Sequence, residues 1–348
     1  MSRLLQRTLG ALAVISVAIS AASAQSPQPE TALFNRDAAV YSEASGDLYL
    51  VDFLHDAVSV LSSSGNSSSI QVGSKPIAVV LNHRTGMLYV VNSGGRSVSV
   101  IDDKTHAVKA TVETAARPYA IAVDAAADKV YVSNTFSNKL TVIEGATNTT
   151  TNLPVGSADI IVVNPDPHRI ILFGYESDTV TELDPATGAT VKLPAGALHL
   201  WGAARVGKTL YVSHVQEHSI GAIDLTTHTV SALPAGAMPC AIAVSSSTGK
   251  IYVANYADGT VTVLDHGKPS SLKVTSHPQG LTLDDAAGLL YIASPQQNAI
   301  TVVDTKTLHV KGTLSDPDHP YAVALNPVTH KAYGVNLGAA PFTAIHLP

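Results

Sequence analysis

The chain has 348 residues, 45% hydrophobic and 14% charged, with a formal charge of -6 and one cysteine. This composition supplies a large apolar core and excludes disorder, an intramolecular disulfide and a cysteine-built zinc site. The 21 basic residues form no run, so the electrostatic footprint of nucleic-acid binding is missing and no nucleic-acid partner is expected.

Taken in chain order, the first element is a targeting segment. Arg3 and Arg7 flank a short polar start, residues 9–20 are mostly apolar, and Ala22-Ser23-Ala24 offers the small residues of a cleavage site. A signal peptide over 1–24, cleaved before Gln25, is the reading. The apolar stretch is short for a membrane span and lacks a basic stop-transfer flank. No later segment reaches 18 uninterrupted apolar residues. Residues 25–348 are therefore expected to form one domain, periplasmic or secreted and not membrane-spanning after cleavage.

Beyond residue 34 the chain repeats with a period near forty residues. The strongest copies are LYVVNSGGRSVSVID (88–102), VYVSNTFSNKLTVIE (130–144), LYVSHVQEHSIGAID (210–224), IYVANYADGTVTVLD (251–265) and LYIASPQQNAITVVD (290–304). Weaker copies begin at 48, 171 and 332. The anchoring aromatics are Tyr49, Tyr89, Tyr131, Phe173, Tyr211, Tyr252, Tyr291 and Tyr333, which makes eight units.

Each unit divides into four short strand signals; in the second these are 77–81, 88–92, 97–102 and 108–112, separated by turn residues such as Gly86 and Gly94-Gly95. Apolar residues alternate with period two, and nowhere does the helical i, i+3, i+4 pattern persist, so almost no helix is expected. A four-stranded unit exposes both sheet faces and needs a neighbour on each side. The pattern predicts an all-β fold, a β-propeller of eight four-stranded antiparallel blades. The strands are half the length that an outer-membrane barrel requires. The last unit supplies three strands before the chain stops, so residues 30–34 are expected to complete it and close the ring.

The stretches Tyr89-Val90-Val91-Asn92, Tyr131-Val132-Ser133-Asn134 and Tyr252-Val253-Ala254-Asn255 resemble the YVTN family of β-propeller repeats. Pro76, Pro118, Pro239, Pro278 and Pro320 each precede a tyrosine by thirteen residues, as in that family. The resemblance implies a propeller, usually with seven blades, so seven is the alternative count. It also implies surface-layer or periplasmic proteins, with similar repeats in lactonases, lyases and amine dehydrogenases. It leaves the function open.

Antiparallel pairing places the start of each innermost strand and the end of the second strand at one end of the ring. Residues beside the prolines should line the channel mouth there, and Lys75, Arg117, Tyr119, His277, Gln279, His319 and Tyr321 are the candidate ligand-binding set, suited to a small anionic ligand. A second ring lies three residues after each aromatic: Asp52, Asn92, Asn134, Glu176, His214, Asn255, Ser294 and Asn336. Asn there is expected to cap turns. Glu176, His199, His214 and His218 form a candidate divalent-metal set, although no cofactor is required. Cys240 reads as a small buried hydrophobe, and His83, His168 and His330 as surface residues of the opposite end.

The functional expectation is an exported binding or interaction protein whose mouth or rim takes a small anionic ligand, a glycan or a protein. The alternative is a lactonase-like or lyase-like enzyme with a divalent metal at the mouth.

Overall fold

The computed structural model describes residues 38–346 except 136 and 317. Eight sheets follow one another, each an antiparallel meander in which hydrogen-bonded order equals sequence order. The blades run over 39–71, 76–113, 118–153, 160–194, 200–234, 239–273, 280–315 and 320–345. Seven have four strands, and blade 8 shows three among the described residues, Pro320–Asn326, Lys331–Asn336 and Phe342–Ile345.

First strands of neighbouring blades pack side by side, as Pro118–Asp124 does on Pro76–Asn82 and Pro239–Val244 on Leu200–Val206. Blade 8 meets blade 1 through Pro320–Asn326 and Ala39–Tyr41, so the ring closes as an eight-bladed β-propeller. The one helical element among the described residues is a 3-10 turn at Pro295–Gln297, and no helix there is long and apolar enough to cross a membrane. The signal segment and the closing strand expected at 30–34 lie outside the described residues.

Burial follows from the ring. First, second and third strands have a blade on either side and, apart from the half-exposed Phe342–Ile345 of blade 8, are mostly buried on both faces, as in blade 2, whereas fourth strands such as Ser67–Gln71 and Lys268–Lys273 are largely exposed. Each buried anchoring tyrosine reaches into the next blade. Tyr89 clusters with Ile121 and Val130 of blade 3, Tyr131 with Ile161 and Leu172 of blade 4, and Tyr252 with Leu281 and Ile292 of blade 7. Burial pushes the phenols of Tyr89, Tyr252 and Tyr291 up to about 12.

The register confirms the expected polarity of each blade. Pro76 lies opposite Asn92, Pro118 opposite Asn134, Pro239 opposite Asn255 and Pro320 opposite Asn336. A β-bulge follows the proline in each of these blades, and the bulge re-aims the next side chain. This end of the ring is called the proline end. The far end carries the hairpins joining strands one to two and three to four.

Blade 4 departs from the expected phase. Counted from the Asn164↔Arg169 pair, which matches Asp124↔Lys129 of blade 3, the tyrosine position holds Ile171 rather than Phe173. Gly174, not Glu176, then takes the asparagine position. Asp159 crosses to cap the strand end, its Oδ2 accepting from Tyr175 N at 2.9 Å. Glu176 lies two residues further on, exposed in the turn.

Candidate functional site

At the proline end, the residue entering the innermost strand has a left-handed backbone in six of the eight blades, and a proline follows it in five of those. Lys75, Arg117, His199, Met238, His277 and His319 have φ between 53° and 59°. Proline disfavours the right-handed helical region for the residue before it, and the left-handed region costs a non-glycine residue of order 1 kcal/mol. A repeated hydrogen bond holds the conformation. The amide one residue past the asparagine position donates to the strained residue's carbonyl: Ser93 N to Lys75 O at 3.0 Å, Thr135 N to Arg117 O at 3.0 Å, Tyr256 N to Met238 O at 2.9 Å. Blade 7 has Pro295 at the donor position and so cannot form it.

Lys75, Arg117, His277 and His319 thus occupy equivalent places on four blades, and His199 joins them from a fifth. Lys75, Arg117 and His319 are exposed. Two carboxylates of this end are engaged by backbone amides, Asp56 Oδ1 with Lys75 N at 2.7 Å and Asp258 Oδ2 with Ala237 N at 2.5 Å. Tyr119 is half-buried one position further in, whereas Gln279 and Tyr321 are buried in the inner wall.

Of the aromatic side chains at this end, the sequence pointed to Tyr119 and Tyr321 but not to Tyr175, Trp201 or Tyr256. Tyr175 meets the rings of His199 and Trp201 edge-on, with centroids 5.1 and 5.3 Å apart, and Tyr256 tilts over His277 at 4.8 Å. The Nδ1 atoms of both histidines are buried and make no hydrogen bond. Phe53 packs at the equivalent place beside Ile77. In a chain with 5% aromatics, a tyrosine or tryptophan outside the anchoring period was the available signal.

The asparagine ring is structural. Asn92, Asn134, Asn255 and Asn336 are buried and donate to a hydroxyl seven residues on, in Ser99, Thr141, Thr262 and Thr343. These bonds tie the second strand to the third.

His214 is a variation on the same joint. In blades 3 and 6 the linker from the previous blade presents an N–H, from Ala115 or Gly236, to the threonine hydroxyl. In blade 5 it presents the Ala195 carbonyl instead, 2.9 Å from His214 Nε2. The joint therefore needs a donor, and His214 supplies one while its Nδ1 lies 3.0 Å from Ser219 Oγ. Gly221 replaces the threonine because a Cβ there would lie 2.9 Å from the imidazole.

The four residues of the candidate metal set are not brought together. His214 has both nitrogens engaged, His218 Nδ1 accepts from Met238 N at 3.4 Å, His199 packs on Tyr175, and Glu176 is out of phase. Among the described residues no group of three or more His, Cys, Asp or Glu is placed to hold a metal ion. Cys240 is buried, its Sγ 3.3 Å from the carbonyls of Ala254 and Pro278, and burial pushes its thiol up to about 12. It is a core residue, protonated at neutral pH.

Desolvation lowers the pKa of His214 below its ordinary 6.5. The unfolded ring then takes up a proton before the folded one does, so stability falls as pH drops through 6.5. Asparagine keeps the Ser219 bond but cannot reach Ala195. His214→Asn should therefore cost about 1–3 kcal/mol at pH 8 and less at pH 5, where the wild type has lost part of its advantage. Urea unfolding at the two pH values checks this. A cost that grows at pH 5 would mean that the ring is charged in the fold.

At the far end His168 and His330 are surface residues, as expected, and each also pairs with a buried carboxylate: His168 Nε2 lies 2.5 Å from Asp124 of blade 3, and His330 Nδ1 lies 2.8 Å from Asp284 of blade 7. His106 bridges to Asp47 and His228 to Glu182 in the same way. Each pair crosses a blade interface, so these imidazoles fasten the ring. His83 is exposed as expected.

The fold and this end together define a β-propeller with a cation- and aromatic-bearing mouth. Among solved structures it is similar to dihydro-heme d1 dehydrogenase NirN in complex with DHE, at 15% identity over 97% of this chain and 78% of that one, TM-score 0.71. It is also similar to hydrazine synthase of Kuenenia stuttgartiensis, at 16% identity over 95% and 99%, TM-score 0.59, and to a streptogramin B lyase, at 14% over 77% and 92%, TM-score 0.58. At such identities the likeness is one of fold. No protein-family model matches the chain, and no curated protein matches it in sequence.

Proposed function

We propose that this is an exported ligand-binding propeller whose working face is the proline end, and that its ligand is a small anion with a flat apolar body. The observation that carries the reading is the placing of Lys75, Arg117, His277 and His319 at equivalent strained entries of the ring, interleaved with Tyr119, Tyr175, Trp201 and Tyr256. Cations attract a carboxylate or similar group, and aromatic faces offer stacking to its body. The surroundings favour small anions, because the chain as a whole is acidic and repels polyanions. Export rests on the segment at 1–24, and the resemblance to YVTN repeats agrees with it. The nearly full-length likeness to a propeller solved with a bound ligand supports the reading.

A thermal-shift screen of aromatic mono- and dicarboxylates tests it, since a ligand of the folded state alone raises the melting temperature. Changing Arg117 and His319 together to alanine should abolish the shift and leave the unliganded protein's melting temperature nearly unchanged, because both side chains are exposed. A shift that survives this double change, but disappears when His83, His168 or His330 is altered, would place the working face at the wrong end.

A further inference from the structure

Blade 6 differs from its neighbours in one hairpin. Between the third and fourth strands, blades 2, 3, 4, 5 and 7 close four-residue loops, marked by Asp102 N to Ala107 O, Glu144 N to Thr149 O, Asp184 N to Ala189 O, Asp224 N to Thr229 O and Asp304 N to His309 O. Blade 6 pairs Asp265 with Lys268 around His266-Gly267, a two-residue turn with φ of 50° and 79°.

The longer loops lie against the preceding blade. Tyr49 OH of blade 1 donates to Asp103 Oδ1 of blade 2 at 2.7 Å, and the His106 ring meets that tyrosine edge-on at 5.8 Å. Leu225 of blade 5 is buried with Ile171 and Phe173 of blade 4, and Leu308 of blade 7 packs on the cluster holding Tyr252 of blade 6. Two residues shorter, the blade 6 turn does not reach blade 5. Tyr211 is accordingly half-buried where Tyr89, Tyr131 and Tyr252 are fully buried.

The result is a groove of about 460 Å³ between blades 5 and 6 at the far end. Its floor is Tyr211, Ile251 and Leu264, and its rim carries Asp224, Ser231 and His266. The volume falls in the range of small-molecule sites. An apolar floor containing an aromatic ring, with hydroxyl, carboxylate and imidazole groups around it, matches a ring that is apolar on one face and hydroxylated at its edge. No lysine or arginine lines the groove, which sets it apart from the mouth and disfavours anions.

We propose that this groove is a second binding site, for a neutral sugar ring stacked on Tyr211 with its hydroxyls bonded to the rim. Saturation-transfer NMR on the full protein with cellobiose, maltose and N,N′-diacetylchitobiose is the test. At least one should show saturation transfer, strongest at ring C–H protons. Replacing His266-Gly267 with the four-residue loop sequence Asp-Lys-Thr-His of blade 2 should cover Tyr211 and remove the signal. Ser231→Trp, which blocks the rim from an exposed strand, serves if the loop exchange fails to fold. The Arg117 and His319 double alanine variant should keep the signal, which separates this site from the mouth. No transfer to any of the three sugars, or transfer that persists in the loop exchange and in Ser231→Trp alike, would overturn the proposal.

Discussion

Replacing Tyr252 with alanine will lower stability by about 3–5 kcal/mol, and Tyr131→Ala will do the same. Both side chains are 1% exposed. Each fills the space between its own blade and the next, so truncation leaves a cavity at a blade interface, a place where two sheets cannot collapse without moving whole blades. The phenol hydroxyls contribute less. Tyr131 OH is buried without a partner, so Tyr131→Phe should be close to neutral or slightly stabilising. Equilibrium unfolding in urea checks both changes. A cost under 1 kcal/mol for both alanine variants would mean that these rings do not form the interfaces.

The second large effect belongs to a glycine with an ordinary φ. Gly202 lies two residues after Leu200 on the innermost strand of blade 5, and a Cβ built on it would come 2.0 Å from the carbonyl oxygen of Cys240 in blade 6. The obstacle is backbone, so no rotamer relieves it, and the two inner strands must separate. Gly202→Ala should therefore cost about 3 kcal/mol or more, at the top of the overpacking range. Gly280→Ala, where the same approach to Tyr321 O is 2.7 Å, should cost less. Blades 2, 3, 6 and 8 carry alanine at this position, as Ala78, Ala120, Ala241 and Ala322, so the ring is drawn tightest beside blade 5. Thermal unfolding of the two variants side by side would contradict this if Gly202→Ala melted with the wild type or above Gly280→Ala.

Much of the architecture was legible because a propeller repeats one local solution. The tyrosine and proline spacings fixed eight blades and the polarity of each, and Pro–Asn pairing follows from antiparallel geometry alone. Blade 4 was misphased because Phe173 imitates an anchor where Ile171 is the true one. With no tyrosine at the anchor position and no asparagine at the strand end of that copy, the alignment slid by two residues and carried Glu176 into a ring that it does not join.

The histidines misled for a different reason. Eight of the fourteen, among them His106, His218, His228 and His330, occupy left-handed turn positions, where histidine is favoured along with asparagine and aspartate. A large part of the imidazole content is therefore turn chemistry. What His214 does depends on the direction of one linker peptide, which no spacing reveals. The shortened blade 6 hairpin, by contrast, is legible as Asp265-His266-Gly267-Lys268 where blades 2, 3, 4, 5 and 7 have four loop residues.

The proline end is the proposed binding face, and hydrogen exchange in the presence of the aromatic carboxylate giving the largest thermal shift tests that most directly. Binding should slow exchange at the amides flanking Lys75, Arg117, His277 and His319 and at Ser93, Thr135 and Tyr256, while the hairpins around His83, His168 and His330 exchange as before. Protection confined to those far-end hairpins, with the proline end unchanged, would contradict it.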